Sequence, residues 1–169
     1  MSVMPTSGHI ALAELIKAQP LHVAWGPGDG AWVAPAPAED INDTEIIGEL
    51  GRRTATVVQY VEPAMPPADE GDPTFVQVPG KGWYQITATP TKYLLVVAQF
   101  GFSEEPTATI RQTAVFVGTK TIDSLPPGQR YFTPMQLQSK GRMLQLQNLP
   151  EPIPRDSEYR TRFTHLLEF

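Results

Sequence analysis

The chain has 169 residues, 41% of them hydrophobic and 18% charged, with no cysteine and a net charge of −5. That length suits one ordinary domain with a real core, and the missing cysteines exclude a disulfide framework, a zinc finger and a thiol nucleophile. Arg52-Arg53 is the only adjacent basic pair, which argues against a nucleic-acid surface, since such a surface needs a basic stripe with aromatic residues between its cations.

The first ten residues, MSVMPTSGHI, lack the basic segment and apolar core of a secretion signal, and no apolar run approaches the ~18 residues of a membrane span. A soluble protein made in a cytoplasm is expected. Ser7 is placed to cap a helix over residues 8–19, with Ile10, Leu12, Ala13, Leu15 and Ile16 as its apolar stripe and Pro20 as its stop. Residues 21–25 read as a short strand that runs into the turn Gly26-Pro27-Gly28-Asp29-Gly30. The proline-spaced stretch 31–40 reads as an extended loop. Asn42, Asp43 and Thr44 offer caps for a second helix reaching about Leu50, with Gly51 in the left-handed conformation that would close it.

Residues 54–61 then read as a strand and 62–73 as an acidic, Pro-rich loop. Strands near 74–78, 84–88, 93–100 and 109–117 follow in quick succession, which favours antiparallel pairing over βαβ units. Residues 93–100 are β-branched and aromatic with no internal Gly or Pro, the pattern of a strand buried on both faces. From Ala108 the residues alternate, Ala108, Ile110, Ala114 and Phe116 against Thr109, Arg111, Thr113 and Val115, which predicts a half-exposed strand. Between them, Ser103-Glu104-Glu105-Pro106 reads as a hairpin loop with solvated acids, so a long antiparallel hairpin is expected. Beyond Gly118 the sequence reads as a turn-rich loop, a short strand over 143–149, a stiff Pro-Glu-Pro-Ile-Pro-Arg connector and a final strand over 160–169 with Phe163, Leu167 and Phe169 on one face.

The predicted class is α+β: a mostly antiparallel β-sheet with one or two short N-terminal helices and long Pro-rich loops. Residues 1–169 form a single domain in this reading, with 31–40 and 62–73 as the loops and 149–169 as a C-terminal arm. The 18 prolines, roughly twice the usual share, fall between apolar runs and punctuate many connections.

Few residues suggest chemistry. Gly26-Pro27-Gly28-Asp29-Gly30-Ala31 fits a dinucleotide fingerprint in form, but the prolines that follow cannot open the helix whose N-terminus would meet the pyrophosphate. Gly118-Thr119-Lys120-Thr121 is a turn by composition. His9, His22 and His165 stand apart without metal-ligand spacing. The adjacent acids Asp69-Glu70 and Glu104-Glu105 fall in loops, where solvation is their ordinary state, and no serine sits in a nucleophile elbow. No catalytic residue, cofactor or metal site is assigned. Trp25, Trp32, Trp83 and Tyr84 offer two readings, a sugar-binding platform or, more commonly, core anchors beside turns.

The order of the pieces is itself informative. A short N-terminal helix, LHVAWGPGDGAW, EIIGELGRRTATVVQYV, a mid-chain hairpin ending TIRQTAVFVGT and a late GRMLQLQNLPEPIPRDSEYRTRFTHLLEF together resemble small virion proteins of contractile-tailed bacteriophages. They are similar to tail and baseplate components, including the ripcord type that braces the baseplate around the tail tube. Tail-fibre relatives tend to carry an acidic residue after the Ile-Arg pair, where this chain has Gln112. The resemblance implies a virion protein made in the host cytoplasm, without catalysis, present in several symmetric copies and buried against other phage tail and baseplate proteins. A carbohydrate-binding or tail-fibre-attachment module is the alternative.

Within that reading the C-terminal arm carries the candidate contacts, Arg155, Arg160, Arg162 and Phe169. Pro150, Pro152 and Pro154 hold the approach extended, and arginine suits forked pairing with a partner's carboxylate. The final strand either completes its own sheet or presents an edge to a partner, and both can hold.

Overall fold

The computed structural model describes residues 2–32, 35–69 and 71–169. Met1, Val33 and Ala34 of the 31–40 stretch, and Glu70 of the 62–73 stretch lie outside the described residues. In chain order the elements are α1 (Thr6–Lys17), β1 (Leu21–Gly26), β2 (Gly51–Thr54), β3 (Val57–Pro63), β4 (Phe75–Val78), β5 (Gly82–Thr87), β6 (Tyr93–Phe100), β7 (Thr109–Val117), β8 (Lys120–Thr121), β9 (Tyr131–Phe132), β10 (Leu137–Ser139), β11 (Arg142–Pro154) and β12 (Thr161–Glu168), with a 3-10 turn at Pro134–Gln136. The α+β class and the antiparallel sheets are as expected, with one α-helix among the described residues.

The chain forms two compact units. One comprises Met1–Gln19, Val57–Val97 and Thr164–Phe169, and the other Pro20–Thr56 and Ala98–Phe163. In the first, β3 pairs antiparallel with β6 from Val57↔Val97 to Tyr60↔Leu94, and with β5 from Tyr60↔Thr87 to Pro63↔Tyr84. The sheet order is β12-β6-β3-β5-β4. Val61, Val78, Tyr84, Leu95, Val97 and Leu166 form its core. Helix α1 begins directly after Pro5, whose extended backbone holds the N-cap position without a side-chain hydrogen bond, so Ser7 lies inside the helix rather than at its cap. Its inward residue is Ala13, whereas Leu12 and Leu15 of the expected stripe are 40% and 63% exposed. Lys17 extends over the Tyr60 ring at 4.7 Å.

In the second unit the sheet order is β11-β7-β1-β2-β9, with β8 and β10 as a separate pair. All six residues of β1 are buried, flanked by β7 from Leu21↔Val117 to Gly26↔Gln112 and by β2 from His22↔Thr54 to Trp25↔Gly51. Strand β7, central between β11 and β1, is not half-exposed: Gln112 and Thr113 are buried along with its apolar residues.

Several further expectations are corrected. Residues 93–117 do not form a hairpin: β6 and β7 lie in different sheets, and Glu104 between them is not solvated but accepts the Gly101 N–H at 2.7 Å and pairs with Arg53. No helix follows Asn42. The segment instead turns Ile46 into the core, donates the Ile47 N–H to Gln112 Oε1 at 2.9 Å and reverses at Gly48, whose φ is +64°. Gly51 opens β2 rather than closing a helix, and a Cβ there would collide with Tyr131 and stand 2.8 Å from the Phe132 carbonyl. The strand expected over 54–61 is broken at Ala55-Thr56, where the chain leaves one sheet for the other. The Pro-Glu-Pro-Ile-Pro segment belongs to β11, with pairing interrupted between Asn148 and Ile153 and resumed at Ile153↔Ile110. Prolines cannot donate to a ladder, so they fall at this irregularity of an edge strand. Glu62 and Pro63 likewise belong to β3 rather than to a loop.

Arg52 holds the second unit together from inside. It is fully buried, its Nε and Nη2 fork onto Glu49 at 2.8 and 2.9 Å, its Nη1 reaches Thr119 Oγ1 and the Lys140 carbonyl, and its guanidinium lies 4.1 Å over the Phe116 ring. Removing one partner of such a pair leaves a buried charge uncompensated, at a cost of about 3–5 kcal/mol. Arg52→Met is expected to lower stability to denaturant by that order, and Arg52→Met/Glu49→Gln to recover part of it. An unchanged unfolding midpoint in the single variant contradicts this account.

Two histidines make the fold acid-sensitive. Burial holds His165 at about 4, and burial aided by the Arg52 charge holds His22 at about 4, both from an ordinary 6.5. A group with a lowered folded value binds its proton more readily when unfolded. Each histidine therefore stabilises the fold fully above pH 6.5, and that contribution is lost as pH falls towards 4. At about 1.4 kcal/mol per pH unit each contributes on the order of 3 kcal/mol. Thermal melts should drop steadily between these limits, and replacing both histidines with Gln should flatten the profile.

Candidate functional site: an arginine cleft

Strand alternation sends neighbouring residues of β2 to opposite faces. Arg52 turns inward, so Arg53 turns outward, where its side chain is 23% exposed and pairs with Glu104. Arg130 arrives just ahead of β9, its carbonyl taking the Thr54 N–H at 2.9 Å. Arg160 precedes β12 and lays its guanidinium 4.9 Å over the Phe102 ring. With Thr56, Gln99 and Gly101, these three arginines line a cleft of about 190 Å³. Three guanidinium charges less the Glu104 carboxylate leave two uncompensated positive charges in a chain of net charge −5. Phe102 and Tyr159, 43% and 68% exposed, stand beside the arginines in sequence or in space.

Arg155 fixes both walls. Its Nη1 donates to the Tyr159 carbonyl at 2.9 Å and to Thr161 Oγ1 at 2.5 Å, and its Nη2 donates to the Gly101 and Glu104 carbonyls at 2.6 and 3.2 Å. Arg160 therefore projects from a segment clamped on either side, and Gly101 from a loop held by the same fork.

The model of the family described as "Baseplate wedge 3 tail fiber network component" matches residues 1–169. The chain belongs to that family. It is a structural protein of the bacteriophage virion, located in the tail baseplate, and the resemblance in the sequence holds at that level. No curated protein matches the chain.

In this baseplate component the four residues singled out on the C-terminal arm have different surroundings. Arg160 is in the cleft. Arg155 is 6% exposed and spends its donors within the chain. Arg162 is exposed on β12, and Phe169 is half-buried with its N–H on the Lys92 carbonyl at 3.0 Å. Neither lines the cleft. Sequence reasoning missed Arg53 and Arg130. The Arg-Arg pair in a strand carried a signal for the first, since alternation exposes one of the two, whereas Arg130 sits in a turn-rich segment with no pattern to mark it.

The tryptophans form no platform that uses Trp25 or Tyr84. Trp25 is fully buried, stacked on Phe100 at 3.6 Å and edge-on to Tyr131 and Phe163, with its Nε1 donating to the Tyr131 hydroxyl at 3.3 Å. Tyr84 is 8% exposed against Tyr93. Trp32 and Trp83 are half-buried. Among the described residues no three His, Asp or Glu side chains gather at metal-binding distance, and no helix is long and apolar enough to cross a membrane.

A second concavity, about 300 Å³, lies against β11, between Glu39, Asp40, Ile41 and Asp43 on one side and residues 143–146 on the other. Asn148 positions its acidic wall, donating its N–H to Glu39 Oε1 and its Nδ2 to the Pro37 carbonyl, both at 2.8 Å. Gln112 in turn donates its Nε2 to Asn148 Oδ1 at 2.8 Å while its Oε1 takes the Ile47 N–H. An ionised carboxylate at 112 has no hydrogen to give Asn148, which explains an amide at this position.

Arg155→Lys keeps the charge but loses the fork, since an ammonium is a compact donor without the planar five-donor geometry. The expected result is a loss of about 1–3 kcal/mol of stability and faster protease cleavage within residues 101–108. Wild-type resistance of that loop in the variant contradicts the clamp.

Proposed function

We propose that the protein braces the tail baseplate around the tail tube, making several contacts with neighbouring tail and baseplate proteins, among them parts of the fibre network after which its family is described. The arginine cleft carries this reading. Arg and aromatic side chains are the residues most enriched at the energetic centres of protein interfaces, and here exposed Arg130, Arg160, Phe102 and Tyr159 accompany the cleft in an otherwise acidic protein. Arg162, exposed on β12, and Phe169 are further contacts in this reading, and Arg155 holds the cleft in shape from within. The role is structural, without turnover or a cofactor, for chains made in the host cytoplasm and present in the particle as several copies.

The test is incorporation. Phage lacking the wild-type chain should be supplied with Arg130→Glu/Arg160→Glu, both at exposed positions, or with Arg162→Glu. The folded double variant is expected to be absent from purified baseplates, and the single variant to be depleted. Wild-type occupancy by the double variant defeats the proposal.

A further inference from the structure

Two of the cleft's arginines, Arg53 and Arg130, lie on the side of one five-stranded sheet opposite to the acidic loop. In the order β11-β7-β1-β2-β9, the loop 39–43 sits against β11, whereas Arg53 belongs to β2 and Arg130 directly precedes β9. Four strand spacings of about 4.8 Å put roughly 19 Å between the two edges. The loop cannot swing across. Asn148 ties it at Glu39 and Pro37, and Ile46, 5% exposed, anchors it in the core.

The two surfaces match in chemistry. The cleft offers two uncompensated positive charges and the exposed ring of Phe102. The loop offers Asp40 and Asp43, held outward by a local turn in which Asp40 Oδ1 takes the Asn42 N–H at 2.8 Å and Asp43 Oδ2 takes the Asp40 N–H at 3.3 Å. Between the two aspartates stands Ile41, 98% exposed, the most exposed of the large apolar side chains among the described residues. Asp40 Oδ1 also takes Asn42 Nδ2 at 2.9 Å, so the turn uses one oxygen of each aspartate and leaves Asp40 Oδ2 and Asp43 Oδ1 to face an arginine. An apolar residue flanked by two acids suits a small cleft walled by arginines beside an exposed aromatic ring.

We propose that the arginine cleft of one copy receives the acidic loop, residues 39–43, of a second copy. The idea rests on the cleft being a contact surface, as proposed above, and names its occupant. Because two of the cleft's arginines and the acidic loop sit on opposite sides of the same sheet, the contact is head-to-tail. Each copy keeps one free cleft and one free loop, and the series ends only where it closes into a ring.

The experiment uses the purified full chain. Sedimentation at low salt should show association that grows with concentration and weakens as salt is added, because the contact is between charges. Arg160→Glu or Asp43→Lys alone, both at exposed sites, should each weaken association by about tenfold or more while leaving the melting temperature unchanged. The double variant Arg160→Glu/Asp43→Lys, and an equimolar mixture of the two single variants, should both associate again, since each pairs a glutamate-bearing cleft with a lysine-bearing loop. A chain that stays single at every concentration overturns the inference, as does a single charge reversal that leaves association intact or a double variant that fails to recover it. If the chain stays single while Arg130→Glu/Arg160→Glu is still lost from baseplates, the cleft takes a different neighbour and only this inference falls.

Discussion

The guanidinium of Arg155 decides the shape of the arginine cleft, because both walls of the cleft hang on it. Four carbonyl and hydroxyl oxygens from two separate stretches of chain converge on one planar group, and the group itself lies 5.1 Å over the ring of Trp25. Loops of this kind are ordinarily the least ordered part of a fold, because each ordered residue costs about 1–2 kcal/mol in backbone entropy. A buried cation whose two Nη groups bind one loop each offsets that cost, because displacing either loop leaves more of its charge unpaired. The cleft is thus rigid for a reason that lies beneath it.

Arg52 and Arg53 show the same chemistry put to opposite uses by a single backbone rule. The pleat turns one into the core, where Glu49, Thr119 and a carbonyl absorb its charge, and the other to the surface, where Glu104 answers it only in part. Glu104 also caps the Gly101 N–H, so the loop that walls the cleft is fixed both by its carbonyls, through Arg155, and by the Glu104 carboxylate. An acidic protein thereby holds a locally positive cleft without any run of basic residues.

A brace in a large assembly needs surfaces that are formed before the neighbours arrive, since ordering a loop at the moment of docking subtracts from affinity. Both concavities meet that condition by different means. The arginine cleft is clamped by a charge network, and the acidic loop by neutral amides, with Gln112 and Asn148 passing a hydrogen bond from the core strand β7 outward to Glu39. The family's place in the baseplate and these two preformed surfaces are consistent with a part that works by fitting.

Strands β6 and β7 were legible to the residue, because an uninterrupted β-branched run bounded by Gly or Pro has no competing local structure. Strand β1, the single N-terminal helix and the antiparallel class were legible too. The tertiary structure alone decided which strands share a sheet: the loop 101–108 looks like a hairpin turn, but Glu104 is pulled in by Arg53, a residue far away in sequence, and the strands diverge. The same applies to the helix expected after Asn42, where local caps are present but Gln112 and the core claim the backbone N–H and the side chain that a helix would have used. Of the residues that line the candidate cleft, Arg160 was singled out on the proline-stiffened arm, and the family was indicated by the order of the pieces. Arg53 and Arg130 were not, nor was the burial of Arg155. Charge and spacing along a chain do not say which residues converge, because convergence is set by sheet order, and sheet order is a long-range property that local sequence does not encode.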